Sequence, residues 1–135
     1  MILKTYSRLF SHDCDLTLET LERLHGRKAH LRFKFGDWDL TGIGDMFVVA
    51  GTEESLAPIR DSHGPVIVQD IEALQAELLA SGATITQAIV TVPTGRMLYA
   101  RHADGLHIEY VEWTDALVEK FIRAPQREGR LASEL

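Results

Sequence analysis

The chain has 135 residues, 45% of them hydrophobic, and 14 Lys and Arg against 20 Asp and Glu give a formal charge of −6. That length fits one domain, or two small modules sharing a core, and the apolar fraction excludes a disordered chain. The negative balance argues against nucleic acid and anionic membrane as partners, and the single cysteine, Cys14, excludes a disulfide framework within a monomer and suits a reducing, cytoplasmic setting.

Residues Ile2 to Phe10 read as a first strand, and the opening residues gain charge early, so neither a signal peptide nor a membrane span is expected there. Asp13 is placed to cap a helix, because its carboxylate can accept orphan backbone N–H groups. Cys14, Leu18, Leu21 and Leu24 then recur on one helical face until Gly26 ends the helix. In the next run Leu31, Phe33 and Phe35 alternate with His30, Arg32 and Lys34, the pattern of a half-buried strand. A turn is expected at Asp37-Trp38-Asp39, a third strand over Leu40 to Ile43, and a wholly apolar fourth over Met46 to Ala50. The polar run Gly51 to Ser62 reads as a linker.

Val66 to Val68 opens a second series, followed by a helix after Asp70 with Ile71, Leu74 and Leu78 on one stripe. Strands are expected over Thr84 to Val92, Arg96 to Arg101 and Leu106 to Trp113, separated by turns at Pro93-Thr94-Gly95 and Ala103-Asp104-Gly105. Asp115 to Ile122 can form a short final helix, and the residues after it read as a polar, mobile tail.

The two series are the same unit used twice. Tyr6 stands seven before Asp13, and His63 stands seven before Asp70, with a constant offset of 57 (63 − 6 and 70 − 13). Each aspartate opens a short helix that ends at a glycine, Gly26 or Gly82, and three strand-like runs follow. Two such βαβββ halves predict a paired sheet with a cleft between them, which is where small-molecule chemistry belongs.

His63, Asp70 and the run HADGLHIEY from His102 to Tyr110 resemble the second module of the vicinal oxygen chelate superfamily, the group of glyoxalase I, bleomycin and fosfomycin resistance proteins and extradiol dioxygenases. The resemblance covers about residues 2 to 113. It implies an α+β fold in which two βαβββ modules form an open, barrel-like cleft, with module one over about 1–52, a linker over 51–62, module two over 63–113, and residues 114–135 as a helix and polar tail. It also implies a homodimer and one divalent metal, Zn, Ni, Mn or Fe, held by His63 and Glu109 with water or Tyr6 completing the shell. The fourth family ligand position falls near Val48 when Gly44 is laid on Gly105, and a valine cannot ligate. The metal site is therefore expected to be incomplete.

Two functional classes follow. One is a metal-dependent lyase or dioxygenase acting on vicinal oxygens, with His63 and Glu109 as its catalytic ligands. The other is a metal-free binding module in which His63 and Glu109 are an acid/base pair and the ligand is held by stacking and charge. If Leu31, Phe33 and Phe35 pack under the first helix, then His30, Arg32 and Lys34 form a basic wall of the cleft suited to an anionic ligand. His107 and Val111 share the face of Glu109 and are expected to line the pocket, with Tyr99 offering aromatic surface. Cys14 lies on the apolar stripe and reads as a small buried hydrophobe.

Overall fold

The computed structural model describes residues 1–130; the last five positions of the expected polar tail lie outside the described residues. The N-terminal run expected as one strand breaks at Tyr6 into β1 (Ile2–Thr5) and β2 (Ser7–Ser11). Then come α1 (Cys14–His25), β3 (Leu31–Phe35), β4 (Trp38–Ile43) and β5 (Met46–Ala50). The expected linker holds α2 (Glu53–Leu56) and a tight turn, Ala57–Ile59. The second unit contains β6 (Ser62–Val68), α3 (Ile71–Ala80), β7 (Thr84–Val92), β8 (Gly95–Arg101) and β9 (His107–Trp113). A helical segment closes the described chain: α4 (Asp115–Val118), a π-type turn (Glu119–Arg123) and α5 (Ala124–Arg127).

Most elements sit where the residue pattern put them, with local shifts. Trp38 and Asp39 belong to β4 rather than to the turn before it. Leu24, expected on the buried helical face, is 78% exposed, and only Cys14 and Leu18 of that stripe are fully covered. The final helix runs on past Ile122 because Val118, Phe121, Ile122 and Pro125 keep finding apolar cover.

The strands form two sheets, ordered β1-β6-β9-β8-β7 and β2-β5-β4-β3. In each unit the first strand runs parallel to the last, β2 with β5 and β6 with β9. The break at Tyr6 lets one N-terminal stretch serve both sheets, since β1 pairs antiparallel with β6 while β2 pairs with β5. Tyr6 N–H donates to Pro65 O in the second unit, and Ser7 N–H donates to Asp45 O in the first.

The helix starts repeat closely. Asp13 and Asp70 have φ/ψ of −145°/99° and −144°/102°, and each side chain accepts from the N–H three residues on, Leu16 and Ala73. Outside the sheets α1 covers one small apolar group (Cys14, Leu18, Ile43, Ala50) and α3 another (Ile71, Leu74, Leu78, Leu98, Tyr110). Between the sheets lies the main core, shared by Tyr6, Leu40, Phe47 and Val49 of one side and Ile67, Met97, Val111 and Trp113 of the other. Phe121 and Ile122 of the final helical segment plug one end of this interior.

Candidate functional site

The polar centre of this apolar interior is Arg8. It lies on β2 opposite Phe47 of β5, and alternation with Tyr6 and Phe10, both in the core, turns it inward. Its side chain is 2% exposed and crosses to the second unit, where Nη2 forms an ion pair with Glu109 Oε1. Nη1 donates to Ser62 Oγ at 2.8 Å and to the Tyr99 hydroxyl at 3.2 Å. Ser62 is fixed in turn by donating to Ile59 O at 2.5 Å. Arg8 Nε has no hydrogen-bond partner.

Burial is the largest single influence and works against the Arg8 charge, but Glu109 and Tyr99 together outweigh it, and the guanidinium pKa lies above its ordinary value. Burial, reinforced by the Glu109 charge, also raises the Tyr99 hydroxyl above the usual phenol range, so Tyr99 stays neutral. The result is a charge-compensated pair held in place from both modules. Glu109 also lines a small cavity of about 30 Å³ whose aromatic walls are Phe33, Phe35, Trp38, Phe47 and Trp113. That volume holds about one water, so an organic ligand must part these walls; Phe33, Phe35 and Trp38 are only half-buried and stand at the rim.

Strand register shows why the duplicated site is unequal. On β5 it is Phe47, the neighbour of Val48, that faces the interior and lines the cavity with Glu109, so the first unit presents an apolar ring where the second presents a carboxylate. A register shift between His63 and Val66 adds one residue to β6, and Gly64 in it has φ 114°, where a Cβ would lie 2.8 Å from Glu109 O. The shift makes Ser62 the inward residue. His63 is exposed and pairs with Ile108, on the face opposite Glu109.

Tyr6 does lie in the interior, but its hydroxyl bonds His30 Nε2 at 2.9 Å. Burial raises the Tyr6 pKa beyond the usual phenol range and lowers His30 to about 4. Among the described residues no group of three or more His, Cys, Asp or Glu side chains is arranged to hold a metal ion. A neutral tyrosine and a carboxylate already engaged by a guanidinium do not suit Zn²⁺, Ni²⁺, Mn²⁺ or Fe²⁺.

The basic wall faces the other way. Leu31, Phe33 and Phe35 pack into the interior, and Arg32 and Lys34 are exposed on the outer face, beside α1. There Arg32 pairs with Asp39 at 2.8 Å and Asp15 at 2.9 Å. The larger apolar area lies between the sheets, and it takes the phenylalanines. Of the trio only His30 points inward, stacked on Tyr6 and against Phe121. Val111 lines the cavity. His107 is buried, bonded to Asp61 and Thr86 rather than open to the cavity. Cys14 is buried, contacts Thr41 Oγ1 at 3.3 Å, and has its thiol pKa raised by burial.

A hypothetical protein from Methanosarcina mazei of known structure is 34% identical and superposes with a TM-score of 0.79 over 84% of this chain and 94% of its own. Methylmalonyl-CoA epimerase from Mycobacterium tuberculosis, a vicinal oxygen chelate enzyme, has the same fold at 16% identity and a TM-score of 0.67, over 87% of this chain and 93% of its own. This chain has the vicinal oxygen chelate (VOC) fold. A Streptomyces coelicolor methylmalonyl-CoA epimerase variant in complex with 2-nitronate-propionyl-CoA is a further VOC structure like this one, at 15% identity and a TM-score of 0.66, over 85% of this chain and 97% of its own. No family model and no curated protein sequence matches the chain. The two βαβββ-like modules of this fold are present, and the centre of the interior they share is the Arg8–Glu109 pair.

Proposed function

We propose that this VOC-fold protein binds a small planar organic molecule in the cleft between its modules, without a metal. The observation that carries the reading is the buried Arg8–Glu109 pair beside an aromatic cavity. The guanidinium supplies the positive charge that a cation would bring to Glu109, so the carboxylate needs no metal to be compensated. Phe33, Phe35 and Trp38 offer ring faces for stacking. With Oε1 held by Arg8, Oε2 is the oxygen a ligand donor would engage. An anionic ligand gains nothing from Arg32, which is committed to Asp15 and Asp39.

A metal-dependent lyase or dioxygenase would need Glu109 to leave Arg8 and His63 to turn inward. A homodimer and a cytoplasmic location belong to the same proposal, the first resting on the family and the second on the reduced, buried Cys14 thiol. Among the described residues no helix is long and apolar enough to cross a membrane.

The test is a thermal-shift screen with small planar aromatic compounds, neutral and anionic, since a ligand of the native state raises Tm. Shifts should vanish in Phe33→Ala and persist in Arg32→Ala. The reverse pattern would return the ligand to the outer face. Titration with Zn²⁺, Ni²⁺, Mn²⁺ and Fe²⁺ is the second arm: binding tighter than millimolar that is lost in Glu109→Gln would overturn the metal-free reading.

A further inference from the structure

Beside the cleft centre the same strands assemble a second polar chain. His107 lies two residues before Glu109 on β9, on the same face and about 7 Å along the strand. It is 5% exposed, and both ring nitrogens are engaged. Nδ1 faces Asp61 Oδ1 at 2.9 Å and Nε2 faces Thr86 Oγ1 at 2.8 Å. Asp61 is held by Arg101 Nη2 at 2.8 Å, and Arg101 Nη1 donates to Gly105 O at 2.9 Å. Tyr99 packs on the imidazole with ring centroids 5.6 Å apart.

These contacts fix the tautomer. A carboxylate only accepts, so Nδ1 carries the proton and donates it to Asp61. Its hydrogen bonds to His107 and Arg101 hold the Asp61 pKa down at about 2, so it remains a carboxylate at neutral pH. Nε2 is then a lone pair, and the Thr86 hydroxyl donates to it. The oxygen lone pairs of Thr86 are left toward solvent, because Thr86 is exposed while its imidazole partner is shielded.

The backbone arranges this specifically. β7 pairs Ile85 with Ala100 and Gln87 with Tyr99, so Thr86 is the extra residue of a β-bulge. Thr84 pairs with Arg101 and Arg101 with His107, so alternation already sets Thr86, two residues after Thr84, on the His107 face, and the bulge interrupts the pairing at that position. Nothing in the cleft reading uses Asp61 or Thr86.

We infer that Asp61, His107 and Thr86 form a reactive site in which the Thr86 hydroxyl is a nucleophile toward small activated esters and thioesters. Thr86 Oγ1 adds to the carbonyl carbon as its proton passes to His107 Nε2, the base. Collapse of the adduct breaks the bond to the leaving oxygen or sulfur, which departs with that proton. Water then attacks the Thr86 ester, and a proton from it returns through His107 to Oγ1 as the carboxylic acid leaves. Asp61 is a positioning residue: it orients the ring and favours the imidazolium. The threonine methyl crowds the attacking oxygen, which restricts the acyl group to small ones such as acetyl.

p-Nitrophenyl acetate is the probe, with nitrophenolate release followed by absorbance and the acetylated residue located by peptide mass spectrometry. Thr86→Val keeps the β-branched shape on an exposed strand and removes only the hydroxyl. Release should fall by about 100-fold or more in Thr86→Val, the lower end of the range for loss of a positioned proton-transfer partner, and Thr86→Ser should retain it. The acetyl group should be found on Thr86. Asp61→Asn should move the midpoint of the rate's pH profile downward, because the imidazolium loses a neighbouring carboxylate. Undiminished release by Thr86→Val, or acetyl found only on other residues, would overturn the inference; an unmoved pH profile in Asp61→Asn would remove Asp61 from it.

Discussion

Arg8 and Glu109 stand 101 positions apart in the chain and meet as a buried ion pair that ties the first module to the second. Removing one partner leaves the other charged and desolvated, so Arg8→Ala should lose about 3–5 kcal/mol of stability in chemical denaturation. Exchanging both together, as in Arg8→Met with Glu109→Leu, should cost far less, because no stranded charge remains. A double variant as unstable as the sum of the singles would mean the two groups act independently.

The duplicated helix starts give a paired prediction. Asp13 and Asp70 cap α1 and α3 with bonds of 3.1 Å in each case. Asp13→Ala and Asp70→Ala should each cost about 1 kcal/mol, and the two losses should add, since the caps serve different helices. Urea melts of the four proteins measure this.

Much of the fold could be read from local pattern, and the site only in part. Alternation gave β3 its two faces correctly, but alternation alone does not say which face is inward. The answer depended on where the larger apolar area lay, between the sheets, with Asp15 and Asp39 then pairing Arg32 on the outside. The offset between the modules holds through the helix caps and fails at His63, because the β6 register shift is a backbone event with no fixed sequence mark. Gly64-Pro65 was its one visible trace. Arg8 was missed although a signal existed: Tyr6, Arg8 and Phe10 alternate, so an inward Tyr6 implies an inward arginine. Its partner could not be named in advance, since a contact between β2 and β9 depends on how the two sheets pack. Thr86 was not legible because its contact with His107 depends on how β7 pairs with β8 and β8 with β9.

Gly95 opens β8 at φ 147°, and a Cβ there would lie 2.0 Å from Glu112 O. Both the conformation and the contact exclude a side chain, and the atom in the way is backbone that cannot swing aside. Gly95→Ala should therefore destabilise far more than the roughly 1 kcal/mol typical of point variants, enough to lower Tm sharply or prevent folding. Gly105→Ala is the control, because nothing lies within 4 Å of its Cβ position although its φ is also positive. Comparable losses at the two sites would show that conformation alone, not the clash, sets the effect.

His30 makes stability depend on pH. Burial, with a smaller push from Lys4, lowers its pKa from 6.5 to about 4 in the folded protein. Unfolded, the imidazole takes up a proton near pH 6.5; folded, it resists until about pH 4. Across that window the unfolded chain binds more protons, so stability should fall as pH drops from 6.5 to 4 and level off below. The loss should be about 1–2 kcal/mol, below the full linkage value because the ring is only partly buried. Other titrating groups contribute to the measured curve, so the readout is a difference. Denaturation of the parent and His30→Gln across this pH range should show a gap that narrows toward low pH, since glutamine takes no proton. Parallel stability curves for the two proteins would mean that His30 titrates alike in the folded and unfolded states, and that the ring between Tyr6 and Phe121 is better hydrated than its packing implies.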